Sequence, residues 1–148
     1  MSAERIVVCC GSTVFGSTDF DPMMLRWSDQ EDNTSWTPSA TNQAGDLRLS
    51  HGGRIVRGIP SRRGNLIWSD TALYAMNYLG DPTLVYGVEM LGAGCGLVGT
   101  NAAVEKDGAA FWMTPNGEFY SYSGGTPSPI PCPVKRYVAD NLNWTHAE

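Results

Sequence analysis

The sequence is poor in the residues that carry most enzyme chemistry. It has two histidines, His51 and His146, and four cysteines, Cys9, Cys10, Cys95 and Cys132, with no Cys-x-x-Cys pair or Cys/His spacing suited to zinc. His51 stands beside Gly52-Gly53 and His146 near the end of the chain, and neither lies in a Gly-x-Ser-x-Gly setting, so no catalytic triad is read. Cys9 and Cys10 are neighbours that a strand would point to opposite faces, so buried free thiols are expected rather than a disulfide. The apolar runs are a few residues long, well short of the ~20 that span a bilayer. The start, MSAERIVVCC, lacks the basic region, apolar stretch and small-residue cleavage site of a secretory signal, so a soluble protein made in a cytosol is expected. Positive charge is also scarce. Ten Lys and Arg against 15 Asp and Glu leave a net charge of −5, which opposes tight binding to a phosphate backbone.

What the chain does have is turn formers and aromatics. Gly 17 and Pro 9 make up about a sixth of its 148 residues, more than a helical bundle carries. Arg26-Trp27-Ser28-Asp29 is echoed by Ile67-Trp68-Ser69-Asp70 and, more loosely, by Phe111-Trp112-Met113-Thr114, at spacings of 41 and 44 residues. This period matches repeats in which one four-stranded sheet cannot bury both faces alone and stacks on its neighbours. After Trp68 comes Leu73-Tyr74-Ala75-Met76-Asn77-Tyr78; after Trp112 come Asn116-Gly117, a type I′ hairpin signal, and Glu118-Phe119-Tyr120-Ser121-Tyr122. Trp27, Trp68, Tyr74, Trp112 and Tyr120 are therefore expected in the cores of successive sheets, with the three tryptophans in equivalent places. Further strands are read at 5–10, 46–49, 54–59, 83–91 and 102–105, with a tight turn at Lys106-Asp107-Gly108. One short helix is read after Pro131-Cys132-Pro133, with Val134, Tyr137, Val138 and Leu142 on a face that a sheet should cover.

The polar stretch Ser28–Gly45 is read as an exposed loop that meets a partner subunit or wraps a sheet edge. Its acids, with Asp19 and Asp21 nearby, lack the ordered pattern of a calcium loop, and solvated charges are the better reading. Asp32-Asn33-Thr34-Ser35-Trp36 faintly resembles the Asp-box turn of sialidase propellers, but Asp29, Glu31 and Asn33 stand where that motif has Ser, Asp and Gly. Arg54, Arg57, Arg62 and Arg63 are the basic cluster; on a regular strand Arg54 and Arg57 face opposite sides, and Arg62-Arg63-Gly64 reads as a hairpin turn. Asp29, Glu31, Asp32, Trp36, Arg62 and Arg63 are thus the subunit-contact candidates. No catalytic, cofactor-binding or metal-binding residue is assigned.

The ordered phrases WSDQEDNTSWTPSATNQAG, LRLSHGGRIVRGIPSRRGNLIWSDTALYAMNYLG and GCGLVGTNAAVEKDGAAFWMTPNGEFYSY resemble the propeller region of tail structural proteins of short-tailed double-stranded DNA phages, the tail tubular protein B or nozzle group. The resemblance runs over about residues 5 to 143. It implies an all-β fold, a partial β-propeller of about three antiparallel blades with a short C-terminal helix, forming one propeller-like domain over residues 1–148. It further implies a non-enzymatic virion protein, without cofactor, in the wall of the DNA-ejection conduit of the virion tail and assembled in the host cytoplasm. Its partners would be further copies in a ring and other tail proteins, with non-specific passage of DNA and no membrane. Family proteins are several times longer, so the chain reads as a fragment-length version whose open strand edges favour self-association. A carbohydrate-binding propeller, sialidase-like or lectin-like, and a cellular protein-interaction propeller are the rival expectations.

Overall fold

The computed structural model describes residues 2, 4–62, 64–81 and 83–146. Strands β1 (Val8–Thr13), β2 (Phe20–Trp27) and β3 (Gly45–Arg48) form the first sheet. Strands β4 (Ile55–Ser61), β5 (Gly64–Ser69), β6 (Ala72–Tyr78) and β7 (Tyr86–Ala93) form the second. Strands β8 (Ala103–Lys106), β9 (Ala109–Met113), β10 (Phe119–Tyr122) and β11 (Ser128–Ile130) form the third. Each sheet is an antiparallel meander in chain order. Helix α1 (Lys135–Asn141) and a 3-10 turn (Trp144–His146) follow. The expected all-β class and C-terminal helix are present. Strand β11 has no counterpart in the sequence reading, because Pro127, Pro129 and Pro131 mask it; Pro129 is tolerated where β11 borders the sheet.

Turn chemistry accounts for the hairpins, with one correction. Asp107 (φ 55°) and Gly108 (φ 85°) both take left-handed conformations in the two-residue β8–β9 turn, as a type I′ turn requires. Asn116-Gly117 does not form such a turn. Pro115 fixes φ near −65°, which suits the first central position of a type I turn. The turn runs from Thr114 to Gly117, closed by Gly117 N donating to Thr114 O at 2.9 Å, and only Gly117 (φ 75°) is left-handed.

The sheets stack, with the second between the other two, and its alternation serves two cores. Ile67, Ala72, Tyr74 and Met76 turn toward the first sheet and pack with Met23, Leu25, Trp27 and Leu49. Leu66, Trp68, Leu73 and Ala75 turn the other way and pack with Ala103, Ala110, Trp112 and Tyr122 of the third. Edge-on ring pairs tie the sheets together: Trp27 to Tyr86 at 5.3 Å and Trp68 to Trp112 at 5.5 Å.

The three tryptophans are not all equivalent. Trp27 and Trp68 each project forward onto the next sheet, whereas Trp112 projects backward onto the second. Side chains alternate faces along a strand, so a one-residue offset reverses the side. The residue of β9 that takes the forward position of Trp68 is Met113: Trp68 pairs with Leu73 across the β5–β6 ladder as Met113 pairs with Phe119 across β9–β10. The phase is marked by three buried hydroxyls, Ser28, Ser69 and Thr114, at spacings of 41 and 45 residues. The Ser69 hydroxyl accepts from Ala72 N at 2.9 Å, and that of Thr114 accepts from Glu118 N at 3.1 Å, each pinning the hairpin after its strand. Ser28 instead accepts from Val7 N at 3.1 Å.

Candidate interaction surfaces

The Ser28–Gly45 loop is knit to itself before it can meet anything else. Asp29 Oδ1 accepts from Gln30 N and Gln43 N, both at 2.8 Å. Trp27 Nε1 donates to Gln43 O at 2.9 Å, so Trp27 and Asp29 hold the Gln43 main chain from both sides. Asp32 Oδ1 accepts from Thr34 N (2.9 Å) and Thr34 Oγ1 (2.6 Å); these bonds, the side-chain one first, hold its carboxyl below the usual value. Glu31, in a left-handed conformation (φ 60°), receives Arg5 Nη1 at 2.8 Å, and Arg5 is itself left-handed (φ 62°). Trp36 is half-buried, its indole N–H donating to Asn33 O at 2.7 Å and its carbonyl accepting from Arg26 Nη2 at 3.0 Å. The loop is thus an ordered relief with exposed acids at Glu31 and Asp32.

Of the basic cluster, Arg62 is exposed in the β4–β5 turn, which is the expected hairpin; Arg63 lies outside the described residues. The parity argument for Arg54 and Arg57 does not hold, because the β4 register shifts between Ile55 and Arg57. Arg57 Nη1 donates to Thr100 O, bracing β4 against the segment that leads into the third sheet. His51 is exposed; its backbone N–H donates to the Tyr74 hydroxyl at 2.8 Å, and that hydroxyl donates to His51 O at 3.1 Å. Trp27, Trp68, Tyr74 and Trp112 are buried and Tyr120 is partly buried against the second core, stacked on Trp112 at 5.8 Å.

The cysteines are free, and only Cys95 is buried, so the expectation of buried thiols holds for one of the four. Cys10 is exposed as a residue, yet its thiol lies in a crevice with Val8, Gly58 and Ile59. Burial, with a smaller contribution from Cys9, pushes that thiol up to about 11. The Cys10 Sγ lies 3.3 Å from where a Cβ on Gly58 would stand, so β1 and β4 are in close approach. At the opposite edge of the same two sheets a cleft of about 310 Å³ opens among Trp27, Asn42, Leu47, Leu84 and Tyr86. Among the described residues, no group of three or more His, Cys, Asp and Glu is placed to hold a metal ion.

The two end sheets each leave apolar surface uncovered. On the third sheet Val104 is 59 % exposed and Phe111 40 %, with Ile130 beside them. Helix α1 leaves Val104 and Phe111 open, though Met113 on the same face is buried: none of the helix residues is buried, and Tyr137 is 71 % exposed, contrary to the expectation that a sheet would bury its apolar side. It touches the sheet at one end, through Lys135 Nζ to Glu118 Oε1 at 2.7 Å and through Ala139 near Gly117. On the first sheet, Phe15 (50 % exposed) lies over the Arg26 guanidinium at 5.9 Å, near Val14 and Phe20 of the same hairpin. No described helix is long and apolar enough to cross a membrane. No family model matches the chain, and no curated protein matches it.

Proposed function

We propose that the chain is a scaffold protein of a phage-type virion, a tail nozzle or tubular component whose work is to form part of a rigid wall around exiting DNA. The observation that supports this reading is the stack of meanders, whose middle sheet is apolar on both faces and covered on both. The first two sheets lie close at β1 and β4 and open at the far edge, a wedge of the kind that closes a propeller around an axis, and with the third sheet stacked on them we read the finer fold as a partial β-propeller of about three blades. First strands such as β1 and β4 would then line the axis. A net charge of −5 suits a conduit that DNA slides through without sticking. The partners are further copies of the chain in a ring and neighbouring tail proteins.

The test is to purify particles that encode the chain, quantify it by mass spectrometry per particle, and locate it by antibody labelling in electron micrographs. A fixed copy number and label at the tail are expected. Absence from purified particles, with the chain left in the lysate, would refute the reading. The carbohydrate-binding alternative centres on Trp36, which is half-buried and whose indole N–H is committed to Asn33. Saturable binding to a glycan panel that Trp36→Ala removes would favour it instead.

A further inference from the structure

The first sheet is one strand short of its neighbours. The second and third sheets each carry a fourth strand, β7 beside β6 and β11 beside β10, whereas the first ends at β3, and residues 49–54 run from β3 to β4 without adding a strand. The free groups of this edge follow from the ladder. Leu49 N donates to Met23 O, so by the two-residue alternation of an antiparallel pair Leu47 and Gly45 bond to β2, and the N–H and C=O of Asp46 and Arg48 point outward. Among the described residues, no hydrogen bond reaches those outward groups. Directly beside the edge lies the cleft of about 310 Å³, with Asp46 and Leu47 on one side and Leu84 and Tyr86 on the other. Apolar side chains stay open where the two sheets face each other: Leu47, opposite the buried Leu25, is 40 % exposed, Met90, opposite the buried Tyr74, is 41 %, and Leu84 is 56 %. The last strands of the other sheets are blunted, β7 by a register shift against β6 and β11 by Pro129, while β3 pairs with β2 in unbroken register.

We infer that β3 is a docking edge for an extended segment of a partner polypeptide, which adds antiparallel as the fourth strand of the first sheet. The protein's own second and third sheets specify the backbone of the occupant, since β7 and β11 hold that place antiparallel to the strand before them. The two sides of the edge specify its side chains. Toward the second sheet the added strand meets Leu47, Leu84 and Met90, which require apolar residues at alternate positions. On the other side it meets Asp46 and Arg48. Arg48 is already paired with Asp21 at 2.5 Å, and Arg26, opposite Asp46 on β2, is turned to Trp36 O and the Phe15 ring. The Asp46 carboxylate has no ion pair or hydrogen bond among the described residues, so the residue of the partner opposite Asp46 is a lysine or arginine. The partner is thus a strand of alternating apolar and polar residues with a cation facing Asp46.

The test is two-dimensional NMR of the isotope-labelled full chain, titrated with a capped probe peptide, Thr-Val-Thr-Val-Lys-Val-Thr, to about 2 mM. The ladder bonds at Asp46 and Arg48 and the covered side chains, set against the cost of ordering the peptide, give an expected Kd between about 10 µM and about 1 mM. Shifts are expected over Gly45–Arg48 and at Leu84 and Met90. N-methylation of the lysine, whose N–H faces β3, should abolish binding, whereas N-methylation of the valine before it, whose N–H faces away, should leave binding nearly unchanged. Glutamate in place of the lysine should weaken binding about fivefold, and Asp46→Lys in the protein should reverse that preference. Leu84→Asp, at a largely exposed position where the fold tolerates it, should weaken binding about tenfold. An absence of shifts up to about 2 mM, shifts centred on β8 or β11, or equal binding of the two N-methylated peptides overturns strand addition. A charge preference that is absent in the wild type, or that survives Asp46→Lys, overturns the cation facing Asp46. Each of these failures leaves the scaffold reading standing, because that reading is decided on purified particles.

Discussion

The buried indoles give the sharpest test of the packing, because three tryptophans share burial but not hydrogen bonding. Trp27 Nε1 donates to Gln43 O and Trp112 Nε1 to Cys95 O, at 2.9 and 2.8 Å. Trp68 is the most deeply buried of the three, at 0 % exposure, and its Nε1 has no hydrogen-bond partner among the described residues. Phenylalanine at either 68 or 112 removes the same atoms from the same core, where the two rings meet edge-on at 5.5 Å. The cavity cost is therefore similar, about 1–3 kcal/mol by analogy with other large-to-small core changes. What differs is the polar consequence. At 112 the substitution deletes a made bond and strands the Cys95 carbonyl, adding about 1–2 kcal/mol. At 68 it deletes a donor that is already unsatisfied, which returns about 1–2 kcal/mol. Trp112→Phe should thus cost about 2–4 kcal/mol more than Trp68→Phe, and the latter should lie near neutral. Urea unfolding followed by far-ultraviolet circular dichroism measures both, free of the loss of tryptophan emission. Equal costs, or a larger cost at 68, would refute the claim that hydrogen bonding separates the two sites.

Three further outcomes follow from the geometry. A Cβ on Gly96 would run into the Asp70 main chain, so Gly96→Ala should cost about 3 kcal/mol or more in the same urea assay, against about 1–2 kcal/mol for Gly94→Ser, whose surroundings are open and whose left-handed backbone is the source of strain. With its thiol raised from 9.0 to about 11, Cys10 should react with iodoacetamide at pH 8 about a hundredfold more slowly than an unperturbed thiol and speed up about tenfold per pH unit until near 11, read by peptide mass spectrometry. Asp21 is held below 3.8 by the Met23 N–H and then by Arg48; a lowered carboxyl contributes stability that is present above its unfolded value and lost as pH falls through its folded value. The melting temperature should therefore fall below about pH 4, and less steeply in Asp21→Asn, by acid titration of thermal unfolding.

The parts of this fold that were legible in the sequence are those fixed by local chemistry. Asp107-Gly108 sets a turn because two consecutive left-handed residues leave little alternative, and alternation in Phe119–Tyr122 separates the inward Tyr120 and Tyr122 from Ser121. The repeat was legible in its period but misread in its phase. Tryptophan is the conspicuous residue, yet Trp112 belongs to the opposite face, and the small hydroxyls at 28, 69 and 114 carry the true register because each pins backbone where its strand ends. Helix α1 was found, but its cover was not predictable: periodicity in Val134, Tyr137 and Val138 shows an apolar side without showing what lies against it. The interaction surfaces were least legible of all. The loop acids attracted notice as contacts, yet one oxygen of Asp29 and of Asp32 is spent on the loop itself and one of Glu31 on Arg5, and the open apolar face arises only when β8–β11 assemble.

This contrast between spent polar groups and unspent apolar surface bears on what kind of work the chain does. A carboxylate with one oxygen engaged by its own loop, as at Asp29 and Asp32, stiffens that loop. Apolar surface in register with a buried face has no such internal use; water penalises it in proportion to its area until another sheet covers it. Under the proposed assembly the driving force would come from Val104, Phe111 and Phe15, at the two ends of the stack, while the charged loop would set the shape that neighbours must fit. Substitutions in the acids should then alter which neighbours are tolerated and how salt affects the encounter, and substitutions at the end faces should decide whether copies associate at all.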